Sequence, residues 1–230
     1  MSLPIQIRSI SSSQTLHLRK SELWPDTPLS SQSLPYDILS TTLHLGAFII
    51  SSQDTFSSLT PPPTANSMTN SLEGGYEPDE TPTACLTPPK ETGKHDETPI
   101  ACLTLVLEPY LGKLPEHISN TTGGETLNTV QLHKFAVKFD LQGKGIGRQM
   151  LQYVYDLFST SAMVEGDESL KETLMGVQKP ILLHLDSRKV QAGFYIKAGL
   201  EVLDGNVFIK RGPTGDGYPH EYVRMGRLIK

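Results

Sequence analysis

The chain is poor in the residues that commit a protein to a particular environment. It has two cysteines in 230 residues, Cys85 and Cys102, and they form no Cys-x-x-Cys pair. That excludes a disulfide-built scaffold and a zinc site resting on the two together, so no metal is expected. There is one tryptophan, and aromatic residues make up 7% of the chain. No apolar run approaches the roughly 20 residues needed to span a bilayer, so no membrane partner is expected. Met1-Ser2-Leu3-Pro4-Ile5-Gln6 lacks the basic-then-apolar pattern of a secretory leader. Positive charge is scarce as well: 20 Lys and Arg stand against 25 Asp and Glu, a net charge of −5. A nucleic-acid surface needs clustered cations, and no nucleic-acid partner is expected. The expected setting is the cytoplasm, or the nucleus.

Proline and glycine are plentiful but unevenly placed. Residues 52–97 are dominated by Pro, Thr, Ser, Gly and acidic side chains, and they hold too little apolar surface to offset their ordering entropy. This stretch is expected to be a disordered insertion between two strands of a hairpin, Thr41–Ser51 and Ile100–Leu107. A nine-residue run beginning at Asp79 recurs, with one substitution, at Asp96, and only the second copy continues into an apolar strand. A smaller surface insertion is expected at 161–179. The remainder reads as a single domain over 1–230 with the element order β-α-β-β-β-α-β-α-β-β. Tyr110–Glu125 reads as a loop with a Gly123-Gly124 turn. Asp186-Ser187 reads as a helix cap, Leu200–Leu203 and Val207–Ile209 as two strands, and Tyr222–Ile229 as a closing strand.

One stretch organises the rest. Leu132–Val137 is a short apolar-rich strand, and Gln142-Gly143-Lys144-Gly145-Ile146-Gly147 then packs three glycines into six positions. From Ile146 the apolar residues recur at Met150, Leu151, Val154, Tyr155, Leu157 and Phe158, which is helical spacing with one buried face. A glycine-rich turn feeding a helix N-terminus presents unpaired N–H groups at the positive end of the helix dipole, a seat for phosphate. Lys144 and Arg148 add cations there. The P-loop pattern is missing, because no Gly-Lys-Ser/Thr triplet exists. The dinucleotide fingerprint fails at Arg148 or at Met150, depending on where it is started.

What fits is Gln-x-x-Gly-x-Gly, at Gln142, Gly145 and Gly147. This resembles the pyrophosphate turn of the GCN5-related N-acetyltransferase (GNAT) superfamily. Downstream, Phe194-Tyr195-Ile196-Lys197-Ala198-Gly199-Leu200 is similar to that family's Phe-Tyr-x-x-x-Gly-Phe motif, with Leu200 in place of the last Phe. The resemblance implies an α+β, or α/β, GNAT fold: a mixed central sheet of about seven strands flanked by helices and splayed between strands four and five. It implies acetyl-CoA as co-substrate, without a metal, and direct acetyl transfer to a primary amine in a ternary complex. Gly143, Lys144, Gly145, Ile146 and Gly147, with Gln142 and Arg148, would hold the pyrophosphate. Phe135, Ala136 and Val137 would run along the pantetheine arm, and Ser187 would face the same cofactor.

Tyr195 stands where many members carry the acid that protonates the leaving thiolate. An amine titrates near 10, so a base is also needed, and Glu108, Gln131 and His133 are candidates, with His44 and Asp140 behind them. Trp24, Tyr36, Tyr218, His220 and Tyr222 are candidate pocket residues. The acceptor is expected to be a small amine ahead of a protein, and the chain a monomer or homodimer. The alternatives are a peptide N-acetyltransferase and a non-catalytic module that binds CoA or acyl-CoA on the same fold.

Overall fold

The computed structural model describes residues 3–50, 98–123, 127–159, 177–211 and 218–230. Residues 1–50 and 98–230 form one compact unit. The expected insertion at 52–97, the first copy of the duplicated run and most of 161–179 lie outside the described residues.

Seven strands make one sheet. They are β1 (Ile5–Ser9), β2 (Thr42–Ile49), β3 (Ala101–Leu107), β4 (Asn128–Val137), β5 (Ile181–Arg188), β6 (Glu201–Lys210) and β7 (His220–Ile229), in the order β1-β2-β3-β4-β5-β7-β6. β2 and β3 pair antiparallel, as the hairpin reading expected, from Thr42–Val106 to Ala47–Ala101. The second copy of the duplicated run therefore supplies β3. It is buried along nearly its whole length, which is why it reads as continuous apolar sequence rather than an alternation.

Helices cover both faces. α3 (Ile146–Ser159) lays Met150, Leu151, Val154, Leu157 and Phe158 on one face, over Leu45, Leu103, Leu132 and Leu183. On the other face α1 (Ser12–Leu18), continued by a wide π-helical turn over Arg19–Leu23, packs Leu18 on Cys102 and Ala136. Burial pushes the Cys102 thiol up to about 12, so it stays protonated as a packed core group.

α2 (Glu116–Thr122) covers the same face further along, with Ile118 against Leu182 and Leu203. This helix corrects the loop expected over Tyr110–Glu125. Its sequence, Glu-His-Ile-Ser-Asn-Thr-Thr, has one large apolar residue and mostly weak helix formers, so tertiary contact and not periodicity selects it.

Two further readings are corrected. Asp186-Ser187 caps no helix: both residues belong to β5, paired with Arg224 and Val223 of β7, and the next helix, α4 (Ala192–Lys197), starts later. The two strands expected over Leu200–Leu203 and Val207–Ile209 are one, β6, which begins at Glu201. Asp204-Gly205-Asn206 has turn chemistry, but the register against β7 slips there, and the irregularity is absorbed as a bulge.

Two features of β4 place the site. Its parallel ladder with β5 runs from Asn128–Ile181 to Gln131–His184 and stops, although β4 continues to Val137 and β5 to Arg188. In that free half, β4 carries a bulge. Thr104 and Cys102 of β3 face His133 and Ala136, so Lys134 and Phe135 together oppose one residue, and Lys134 takes φ +51°. A lysine in the left-handed region is strained and calls for a local explanation.

Candidate functional site

The site has two sides, one on each face of the parted strands. On the α3 side lies the glycine turn. Gly143 and Gly145 have φ of +76° and +84°, conformations that an L side chain opposes. The turn is anchored to β4 by Gln142, whose Nε2 donates to the Val137 carbonyl at 3.0 Å. The backbone from Gln142 to Gly145 is exposed, as is Arg148, and Ile146 is buried beneath it. Gly147 is required for a different reason: a Cβ there would stand 3.1 Å from Phe194 Cζ and 3.5 Å from Phe135 Cζ. The two sequence motifs therefore meet in space, with the turn resting on the Phe of the second one.

Tyr195 follows on α4, edge-on to Phe194 with ring centroids 5.0 Å apart. Burial first, and then the neighbouring Tyr155, raise its phenol above the usual value, so it holds its proton. Ser187 is buried in the free half of β5, with its Oγ donating to the Arg188 carbonyl at 2.9 Å.

The α1 side is polar, and little of it was foreseen. Arg19 is fully buried. It donates through Nη1 and Nη2 to the two Asp37 oxygens at 2.6 and 2.9 Å, and further to the Gln32 carbonyl at 3.0 Å and Thr104 Oγ1 at 2.9 Å. Burial pushes the Asp37 carboxyl up, but the Arg19 and Leu34 N–H hydrogen bonds outweigh it and hold it below the carboxylate range. His44 Nδ1 contacts the same Thr104 hydroxyl at 2.9 Å, so His44 belongs to this clamp. The clamp fixes the 29–38 segment over the sheet and brings Tyr36 against His133, ring centroids 4.5 Å apart and planes tilted by 33°.

His133 Nε2 in turn lies 3.6 Å from Glu108 Oε1, so the structure brings two expected base candidates together. The distance would suit an ion pair. Burial, with the Lys134 and Lys210 ammonium groups, instead lowers the imidazole to about 3, so it meets the carboxylate as a neutral ring. Glu108 is raised, by burial first and then by Asp186. Gln131 ends the β4–β5 ladder opposite His184, a residue the sequence reading passed over. Asp140 is exposed on the turn after β4 and does not join the cluster.

Of the pocket candidates, Trp24 and Tyr36 belong to this face, with the Lys134 Nζ 4.0 Å above the Trp24 ring. Tyr222 stacks on Phe208 at the β6–β7 end, His220 is exposed, and Tyr218 is exposed to 86%. The side chains of Tyr36, His133 and His184 each bury a polar atom with no hydrogen-bond partner, as do those of Arg19, Gln32 and His44 in the clamp. A cavity of about 420 Å³, lined by Glu108, Tyr110, Leu114, Leu127 and Thr129, opens beside Glu108. Among the described residues no group of three or more His, Cys, Asp or Glu is arranged to hold a metal ion.

No protein-family model matches the chain, and no curated protein matches it in sequence. Solved structures do match in shape. NAA60 of Arabidopsis thaliana in complex with acetyl-CoA aligns over 98% of this chain and 99% of its own, with a TM-score of 0.52 and 12% identity. NAA60 in complex with a bisubstrate analogue aligns over 99% of this chain and 100% of its own, with a TM-score of 0.51 and 11% identity. The fold is that of the GCN5-related N-acetyltransferases. On that GNAT fold the residues of the glycine turn fit a CoA pyrophosphate: three glycines, exposed backbone, and a helix of 14 residues beginning at Ile146.

Proposed function

We propose that this protein is an acetyl-CoA-dependent N-acetyltransferase that moves an acetyl group directly to a primary amine. The observation that carries the reading is the early end of the β4–β5 ladder beside a glycine turn of positive φ. Each half supplies what the other needs: the turn offers N–H groups for pyrophosphate, and the parted strands offer free backbone for the pantetheine arm. Residues 142–148 bind the pyrophosphate, and Phe135, Ala136 and Val137 run beside the arm, together with Ser187.

The amine enters from the opposite face. Glu108 takes its proton, directly or through a water also held by neutral His133. A carboxylate raised toward neutral pH is a better base than an ordinary one, because its conjugate acid is closer to the working pH. The neutral amine attacks the thioester carbonyl, the C–S bond breaks, and Tyr195, protonated throughout the physiological range, gives a proton to the leaving thiolate. The surplus proton on the new amide nitrogen leaves to solvent, which also reprotonates Tyr195. The cavity beside Glu108 has the volume of a small-molecule site, which supports a small amine over a protein as acceptor.

Calorimetric titration with acetyl-CoA, followed by a panel of amines with release of free thiol as the readout, tests this. Micromolar binding and turnover that drops in Tyr195→Phe are the expected results. Binding with no turnover on any amine would favour a non-catalytic CoA-binding module instead.

A further inference from the structure

We propose that the acceptor amine also carries a carboxylate, held between Lys134 of β4 and Arg188 of β5. This rests on the acetyl-transfer reading above and names its substrate class.

The two cations stand on opposite banks of the parting, both beyond the Gln131–His184 end of the ladder. They converge on one dipeptide at the end of the π-helical turn. Lys134 Nζ lies 4.0 Å above the Trp24 ring, and Arg188 Nη2 donates to the Leu23 carbonyl at 3.4 Å. The other cations of this region are each matched with a carboxylate: Arg19 with Asp37 at 2.6 Å, Lys210 with Asp186 at 2.5 Å, and Arg224 with Asp204 at 3.1 Å. Among the described residues neither Lys134 nor Arg188 has such a partner.

Drawing two like charges together at a half-buried place is unfavourable, and Lys134 shows the cost. Burial first, then Lys210, Arg19 and Arg188, lower its ammonium to about 7 against the opposing pull of Asp37. An anion between the two would relieve all of this. The pyrophosphate turn lies on the α3 face, so an anion on the α1 face comes with the acceptor. A guanidinium and an ammonium suit a carboxylate, and Glu108, the proposed base for the amine, lies 3.6 Å from His133, the residue before Lys134.

The test compares amines with and without the group. Acetylation of amino acids, their C-terminal amides and an O-phosphorylated amino alcohol is measured for the wild type, Lys134→Gln and Arg188→Gln. The expected result is a kcat/KM at least about tenfold higher for the acids than for their amides, from one charge-assisted interaction. That ratio falls toward one in each variant, and in the wild type it declines above pH 7 as Lys134 loses its proton.

A second readout needs no turnover. In the presence of CoA, N-acetyl amino acids bind more tightly than N-acetyl amino-acid amides, and the difference vanishes in both variants. Equal rates and equal binding for acid and amide, a preference for the phosphate ester, or variants that weaken acetyl-CoA itself while leaving the ratio intact would each overturn the proposal. Loss of acetyl-CoA binding in the wild type would instead remove the transferase reading, and this inference with it.

Discussion

The two sides of the parted strands are built on different principles. The glycine turn is local: six consecutive residues, a helix that follows at once, and backbone geometry that glycine alone makes cheap. The polar face is assembled from far apart. Arg19 and Asp37 are 18 residues distant in sequence, Arg19 and Thr104 are 85, and Glu108 reaches His133 only because β3 and β4 are neighbours. The turn is an exposed surface with Lys144 and Arg148 beside it. The polar face is a buried network tied together at its base by the Arg19–Asp37 pair. On the proposed reading, substrate recognition depends on the long-range clamp, whereas cofactor recognition depends on a hexapeptide.

That contrast can be broken from either side. The largest effect is expected at the clamp. Asp37→Asn leaves the Arg19 charge buried without a partner, a change worth about 3–5 kcal/mol, and chemical denaturation reads it. The pH dependence has a definite sign. Asp37 lies below its ordinary value of 3.8 in the folded protein, so its contribution is complete above that value and is lost as pH falls through the lower folded value. A melting temperature followed from pH 5 downward should fall more steeply in the wild type than in the variant.

Next comes Glu108→Gln, expected to lower kcat by about 10²–10³ with acetyl-CoA binding retained. In the wild type the rate should rise with pH through the raised Glu108 value, above its ordinary 4.5, and this limb should vanish in the variant. On the turn, Gly145→Glu forces a side chain into φ +84° and sets a carboxylate against the pyrophosphate. Acetyl-CoA affinity measured by calorimetry should drop about 100-fold, and the strained backbone should cost about 1–2 kcal/mol of stability. A clamp variant that lost acetyl-CoA affinity as completely would erase the distinction between the two sides. The smallest effect is expected where the motifs touch. Gly147→Ala presses on Phe194 and should cost about 1 kcal/mol, recovered in part by Phe194→Leu.

The legible parts share a cause. β2, β3, α3 and the turn are specified by patterns shorter than about 15 residues, so hydrophobic period and glycine placement suffice to find them. Glu108 and His133 were found separately as residue types suited to the chemistry, and only the sheet register shows that they meet. Lys134 escaped notice because a lysine in an alternating strand ordinarily faces solvent. Here a bulge turns it onto Trp24. His184 looked like one position in a buried strand, and nothing local marks it as the last rung before the strands part. α2 and the continuous β6 were misread because burial and bulge geometry override weak local preference.

By itself, then, the sequence determined the order of most elements, the glycine turn and its second motif, because backbone conformation and amphipathic period act over neighbouring residues. The tertiary structure alone decided where β4 and β5 separate, which carboxylate meets which cation, and which titratable groups lose their water. Those depend on burial and on pairs brought together across the sheet, and neither is written in any one stretch of chain.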